Sequence, residues 1–219
     1  MTENAKILTT PSVTPSRHQV VALAYDGLCT FEFGVAVEIF GLPRPEMGDN
    51  WYQFAVAAVD EGPLCATGGI RLMTDGGPEL LAQADTIVVP GWRGVDAPVP
   101  EALCAALASA HARGCRIISI CSGVFVLAAA GLLNGRQATT HWRYTAALQS
   151  RFPQIQVVED VLYVGDALLM TSAAARRGST FVCIWCVKIS AAKPPTSSPA
   201  AWSSLPIATA VRRSRSCAR

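Results

Sequence analysis

Apolar positions along this chain fall into short unbroken runs separated by longer amphipathic stretches, a rhythm that predicts strands alternating with helices. Gln19 to Tyr25 is one such run, and Asp26-Gly27 turns it into a helix around Phe31 to Phe40. Tyr52 to Val59 alternates as a second strand, and Leu64 to Met73, interrupted by Gly68-Gly69, predicts a hairpin. Pro78 to Ala84 is a short helix with proline in its first turn. Thr86 to Val89 is a fully apolar strand that ends at Pro90-Gly91-Trp92-Arg93-Gly94, and Pro100 to Ala112 is an amphipathic helix stopped by Gly114.

The β-branched run Ile117, Ile118, Ile120 reads as a strand covered on both faces, and Val124 to Leu133 as an apolar helix ended by Asn134-Gly135. A helix over Trp142 to Arg151 and strand-like segments at Ile155 to Val158, Val161 to Val164 and Ala167 to Met170 complete the series. The pattern predicts an α/β fold, a mostly parallel sheet with helices on both faces. In such sheets sites form beyond the carboxyl ends of the strands, where Glu32, Gly91 and Cys121 all fall. There is no internal repeat and no phosphate loop.

At 219 residues, 51% of them hydrophobic, the chain can bury a large core, and one domain plus a tail is the simplest partition. Residues 1–17 are polar and read as a flexible leader, so the eight cysteines are expected to be reduced thiols in a cytoplasm. The uncharged stretch Ile117 to Leu133 reaches only the lower end of the roughly 17–25 residues that span a bilayer. Its serines and its strand-like start favour a buried strand and helix, with no membrane partner. Net charge is +2, but no Asp or Glu follows Asp166, while eight Lys and Arg follow from Arg176 onward.

Chemistry concentrates at Cys121. Ser119 and Gly123 leave room for the crowded backbone of a strand-turn-helix elbow, and the following helix start is expected to favour the thiolate. The alternative is a buried core cysteine, a common fate for this residue type. Glu32 reads alone as a solvated acid in a helix's first turn, and His141 alone as a structural histidine. No cysteine spacing suggests a metal site, and no cofactor is expected.

The run Ser-Ile-Cys-Ser-Gly-Val-Phe-Val-Leu-Ala-Ala-Ala-Gly-Leu-Leu-Asn-Gly-Arg, followed by Ala-Thr-Thr-His-Trp, resembles the ThiJ/PfpI superfamily. Tyr25-Asp26-Gly27, Phe31-Glu32-Phe33, Val88 to Gly94 and Asp160 to Tyr163 extend the likeness over about residues 18–174. The resemblance implies a flavodoxin-like, class I glutamine amidotransferase-like fold. Within the superfamily the chain is most similar to the amino-terminal domain of AraC-type regulators of the FtrA and GlxA kind. Carried over, it implies that Cys121 is the elbow cysteine and that Glu32 approaches its sulfur. It also implies that His141 reaches it as base or partner, with Gly91, Trp92, Ser122 and Thr140 lining the pocket. The amides of Gly91 and Trp92 would then face the thiol as an anion site. Where glutaminases place an acid two residues after the histidine, this chain has Arg143, so glutamine hydrolysis is not expected. The resemblance implies an effector-sensing or dimerising module, taking a small molecule and forming a homodimer, rather than an enzyme. The enzymatic alternative is a cysteine-dependent hydratase or hydrolase of the isonitrile hydratase type.

The likeness stops at Thr171-Ser172-Ala173. Residues 175–219 could pass for a disordered basic tail that binds nucleic acid, but a shifted reading frame explains them better. Codons that take the third base of one residue and the first two of the next permit, across Gly178 to Ile189, Ile-Asp-Leu-Cys-Leu-His-Leu-Val-Arg-Gln-Asp, in which valine is forced because tryptophan has one codon. The shifted reading continues as an amphipathic helix with charges of both signs. Loss of one base near Ala174 is therefore expected, replacing the last helix of the domain and the helix-turn-helix through which such regulators contact DNA.

Overall fold

The structure, a computed structural model, describes residues 17–47 and 51–173. The leader (residues 1–16 of it) and the segment from residue 174 lie outside the described residues, as does the frameshift expected there.

Ten strands and four α-helices make up the described fold. The central sheet has six strands in the order β2-β1-β5-β6-β10-β9, formed by Gln53–Ala58, Gln19–Ala24, Thr86–Pro90, Arg116–Ile120, Leu169–Ser172 and Tyr163–Gly165. All neighbours run parallel except β9 against β10, as the alternation of strands and helices predicts. β5 and β6 are buried at every residue, which is why their sequences carry no alternation.

Successive side chains on these strands point into two different cores. Val21, Leu23, Ile87, Val89 and Ile117 pack on one face with α2 (Glu101–Ala112), α3 (Val124–Ala129) and α4 (Thr145–Arg151). Val20, Ala22, Val88, Ile118 and Ile120 pack on the other with Ala36, Ile39 and Phe40, from α1 (Thr30–Ala36) and the π-helical turn Val37–Gly41 that extends it. Leu103, Leu107 and Ala110 form the buried stripe of α2, and Gly114, at φ 89°, turns the chain into β6. β3 (Leu64–Ala66) and β4 (Ile70–Leu72) make the predicted hairpin.

Three segments depart from the sequence reading. The apolar helix after Cys121 ends at Ala129, not near Leu133, because Gly131 at φ 72° breaks the helical path before Asn134-Gly135 is reached. The helix predicted from Trp142 opens instead as a 3-10 turn, Trp142–Tyr144, before α4. The strand expected at Ile155 to Val158 shrinks to β8 (Gln156–Val157), which pairs with β7 (Gln137–Ala138) outside the main sheet. Among the described residues, no helix is long and apolar enough to cross a membrane.

Candidate functional site

β6 delivers Cys121 at the carboxyl edge of the sheet, where the chain reverses through the 3-10 turn Cys121–Gly123 into α3. Cys121 sits at φ 56°, a left-handed conformation that costs a non-glycine residue roughly 1–3 kcal/mol and persists only where surrounding contacts enforce it. Those contacts are identifiable. Thr140 donates its hydroxyl to the Cys121 carbonyl at 2.7 Å, and Gly91 donates its N–H to the Ile120 carbonyl at 3.0 Å. The fit is close enough that a Cβ on Gly123 would stand 2.3 Å from the Val89 carbonyl oxygen.

Glu32 comes from the first turn of α1, which follows β1, and its carboxyl shares a hydrogen bond with the Cys121 thiol. Burial pushes that thiol up to about 12, and the Glu32 carboxyl adds to the effect through charge and through its hydrogen bond. The Ser122 amide pulls the other way without offsetting it. The sequence expectation of a thiolate is therefore reversed. The helix that was to supply the positive field begins three residues later and is only six residues long, while Cys121 is only 8% exposed. At neutral pH Cys121 is a protonated thiol.

The loop after β5 is folded inward. Gly91 adopts φ 68°, and Trp92 is buried against Tyr25, ring centroids 4.9 Å apart. Neither amide of this pair is offered to a ligand: the Gly91 N–H is bonded to Ile120, and the Trp92 N–H donates to Ser122 Oγ at 2.8 Å. The hydroxyl of Ser122 returns its own proton to the Trp92 carbonyl at 3.1 Å. The expected anion site is thus closed, and Gly91, Trp92, Ser122 and Thr140 act as a brace that holds the elbow to the β5 loop. Arg93 stacks over both Tyr25 and Trp92 and pairs with Asp60, so the outer side of this brace is also tied down.

His141 follows β7 and precedes the turn Trp142–Tyr144. Its Nδ1 accepts the Arg143 N–H at 3.2 Å, capping the turn that begins at Trp142. Burial and the Arg143 charge lower its affinity for a proton, while Glu32 opposes them. With Nδ1 accepting, a neutral imidazole carries its proton on Nε2, so the free nitrogen is a donor rather than a base. Glu32 acts electrostatically on both Cys121 and His141.

Sequence reasoning missed Tyr25 and Cys29. Tyr25 donates its hydroxyl to the Pro90 carbonyl at 2.9 Å and is hydrogen bonded to the Cys29 sulfur. Burial first, then Glu32, raise the Cys29 thiol. The available signal was position: Cys29 precedes Glu32 by one helical turn on the first strand-helix junction, at the same sheet edge as Cys121. Among the described residues no group of three or more His, Cys, Asp or Glu is arranged to hold a metal ion.

Comparison with known proteins agrees with this geometry. The DJ-1/PfpI family model matches residues 18–184. An uncharacterized protein encoded in the cpoL 5' region of Streptomyces lividans is 36% identical over 142 residues, covering 64% of this chain and 99% of the relative. The HTH-type transcriptional regulator CdhR of Pseudomonas aeruginosa is 37% identical over 123 residues, 56% of this chain but only 36% of CdhR. Isonitrile hydratase of Pseudomonas putida is 36% identical over 120 residues, 54% of this chain and 51% of the enzyme. This chain therefore spans nearly all of the Streptomyces protein and about a third of the regulator. In fold it is similar to an AraC family transcriptional regulator from Pseudomonas putida, with TM-score 0.64 and 20% identity over 78% of this chain and 90% of that one.

Proposed function

Because this chain belongs to the DJ-1/PfpI family, we propose that residues 18–174 form the effector-sensing domain of an AraC-type transcriptional regulator. Cys121, Glu32 and His141 meet the small-molecule effector in this reading, and two copies of the domain associate. The observation that carries it is the protonated, buried thiol held by a carboxyl, together with a β5 loop whose amides are already bonded. Such a site recognises a ligand through hydrogen bonds and shape. It does not present the anion-stabilising donors or the free base that acyl transfer requires. The likeness to CdhR supports the regulatory context.

The likeness to isonitrile hydratase favours one rival, hydration of a small triple-bonded substrate at Cys121. Purified protein assayed for isonitrile and amide turnover separates the two. No turnover above that of Cys121→Ala is expected, whereas thiol-dependent turnover overturns the sensor reading.

The acid-free segment from residue 174 is, in the same proposal, read from a shifted frame, and the regulator's DNA contacts belong to the in-frame continuation. Resequencing the gene across the codons for Ala173 to Arg177 is expected to recover a missing base. An unbroken read would refute it.

A further inference from the structure

Cys29 is a nucleophilic side chain that the effector reading does not use. It stands immediately before α1, half-buried, and its sulfur lies 3.0 Å from the point a Cβ on Gly91 would occupy. The N–H of that same glycine is bonded to Ile120, the residue before Cys121. Gly91 therefore lies against both cysteine-bearing turns. A Cβ at position 91 would crowd both the Cys29 side chain and the Tyr25 hydroxyl. The Tyr25 hydroxyl, whose proton goes to the Pro90 carbonyl, is hydrogen bonded to the Cys29 thiol, Glu32 acts on both sulfurs, and charge on Cys29 is felt at Cys121. Cys65 on β3, Cys104 on α2 and Cys115 at the foot of β6 occupy other elements.

We propose that Cys29 and Cys121 form an oxidisable dithiol, a modification site at which a hydroperoxide closes an intramolecular disulfide between the first strand-helix turn and the elbow. The inference does not depend on the effector reading. With hydrogen peroxide, one sulfur attacks a peroxide oxygen as its thiolate. The O–O bond breaks, and the departing hydroxide takes up the proton that the thiol released, giving a sulfenic acid and water. The second sulfur then attacks the sulfenyl sulfur. The S–S bond forms as the S–O bond breaks, and the hydroxyl leaves as water with the second thiol's proton. Two thiols lose two electrons in all, and one peroxide becomes two waters. Because burial keeps these thiols protonated, the reaction is slow at neutral pH and quickens in alkali. Once formed, the bond removes the thiol partner of Glu32 and ties α1 to the elbow.

Peptide mapping by mass spectrometry of the reduced full-length chain, treated with hydrogen peroxide and then alkylated, tests this. The expected product is a linked pair of peptides containing Cys29 and Cys121, lighter by two hydrogens than their sum and separated by dithiothreitol. In Cys29→Ser the pair is absent and Cys121 accumulates as its sulfenic and higher acids. Two outcomes overturn the proposal. One is Cys121 proceeding to sulfinic acid at the same rate with and without Cys29; the other is a map of the unmodified sequence that links Cys29 to a different cysteine. The latter comparison needs no variant to fold.

Discussion

The Cys121 thiol illustrates how two opposing influences are weighed by burial. Backbone amides at a turn can draw a cysteine toward its thiolate, but their help is modest when the sulfur is nearly dry and a carboxyl stands beside it. With its value held near 12, well above the roughly 8.5 of a free thiol, deprotonation is confined to alkaline solution. Alkylation of Cys121 by iodoacetamide should therefore rise about tenfold per pH unit from 8 to 11, with no plateau near 9. Glu32→Gln removes the charge that resists ionisation and should accelerate alkylation at pH 8 several-fold or more, read by mass spectrometry of the Cys121 peptide. A plateau below pH 9 would show that burial does not raise the thiol, and no change in the variant would show that Glu32 does not act on it.

At the scale of elements, the close approach of the elbow to the end of β5 is the most demanding contact. A methyl group on Gly123 would meet a backbone carbonyl of β5, which cannot swing aside as a side chain can. Gly123→Ala should cost about 2–4 kcal/mol in urea denaturation, whereas Gly135→Ala, where a Cβ has open space, should cost less, about 1 kcal/mol for its left-handed backbone. Much of this arrangement was legible beforehand. The apolar runs at Thr86 to Val89 and at Ile117 to Ile120 gave the central strands, and the Ser-Ile-Cys-Ser-Gly spacing gave the elbow. Less legible were features set by tertiary contact. Nothing in the sequence says that the Trp92 amide is bonded to Ser122, thirty residues on, or that His141 Nδ1 accepts the Arg143 N–H. Gly131 ended α3 early because apolar continuity through Leu132 and Leu133 masked a glycine stop.

Across the whole molecule, the elbow's support leads to the neighbouring strand β10. β10 pairs with β6, with Thr171 opposite Ser119, and the Thr171 hydroxyl accepts the Thr139 N–H at 2.9 Å. Thr140, the next residue, is the one that holds the Cys121 carbonyl. Thr171→Val leaves the buried Thr139 N–H without its acceptor and should lower stability by about 1–3 kcal/mol in thermal or urea unfolding. It should also loosen the elbow, seen as faster alkylation of Cys121 at fixed pH; unchanged kinetics would show that the two threonines are uncoupled. This route from β10 to the sulfur has a consequence for biosynthesis. A ribosome makes β6 and Cys121 before it makes Thr171, so the cysteine is synthesised ahead of the clasp that later fixes its conformation. Completion of the last central strand is the event that sets it in its left-handed turn.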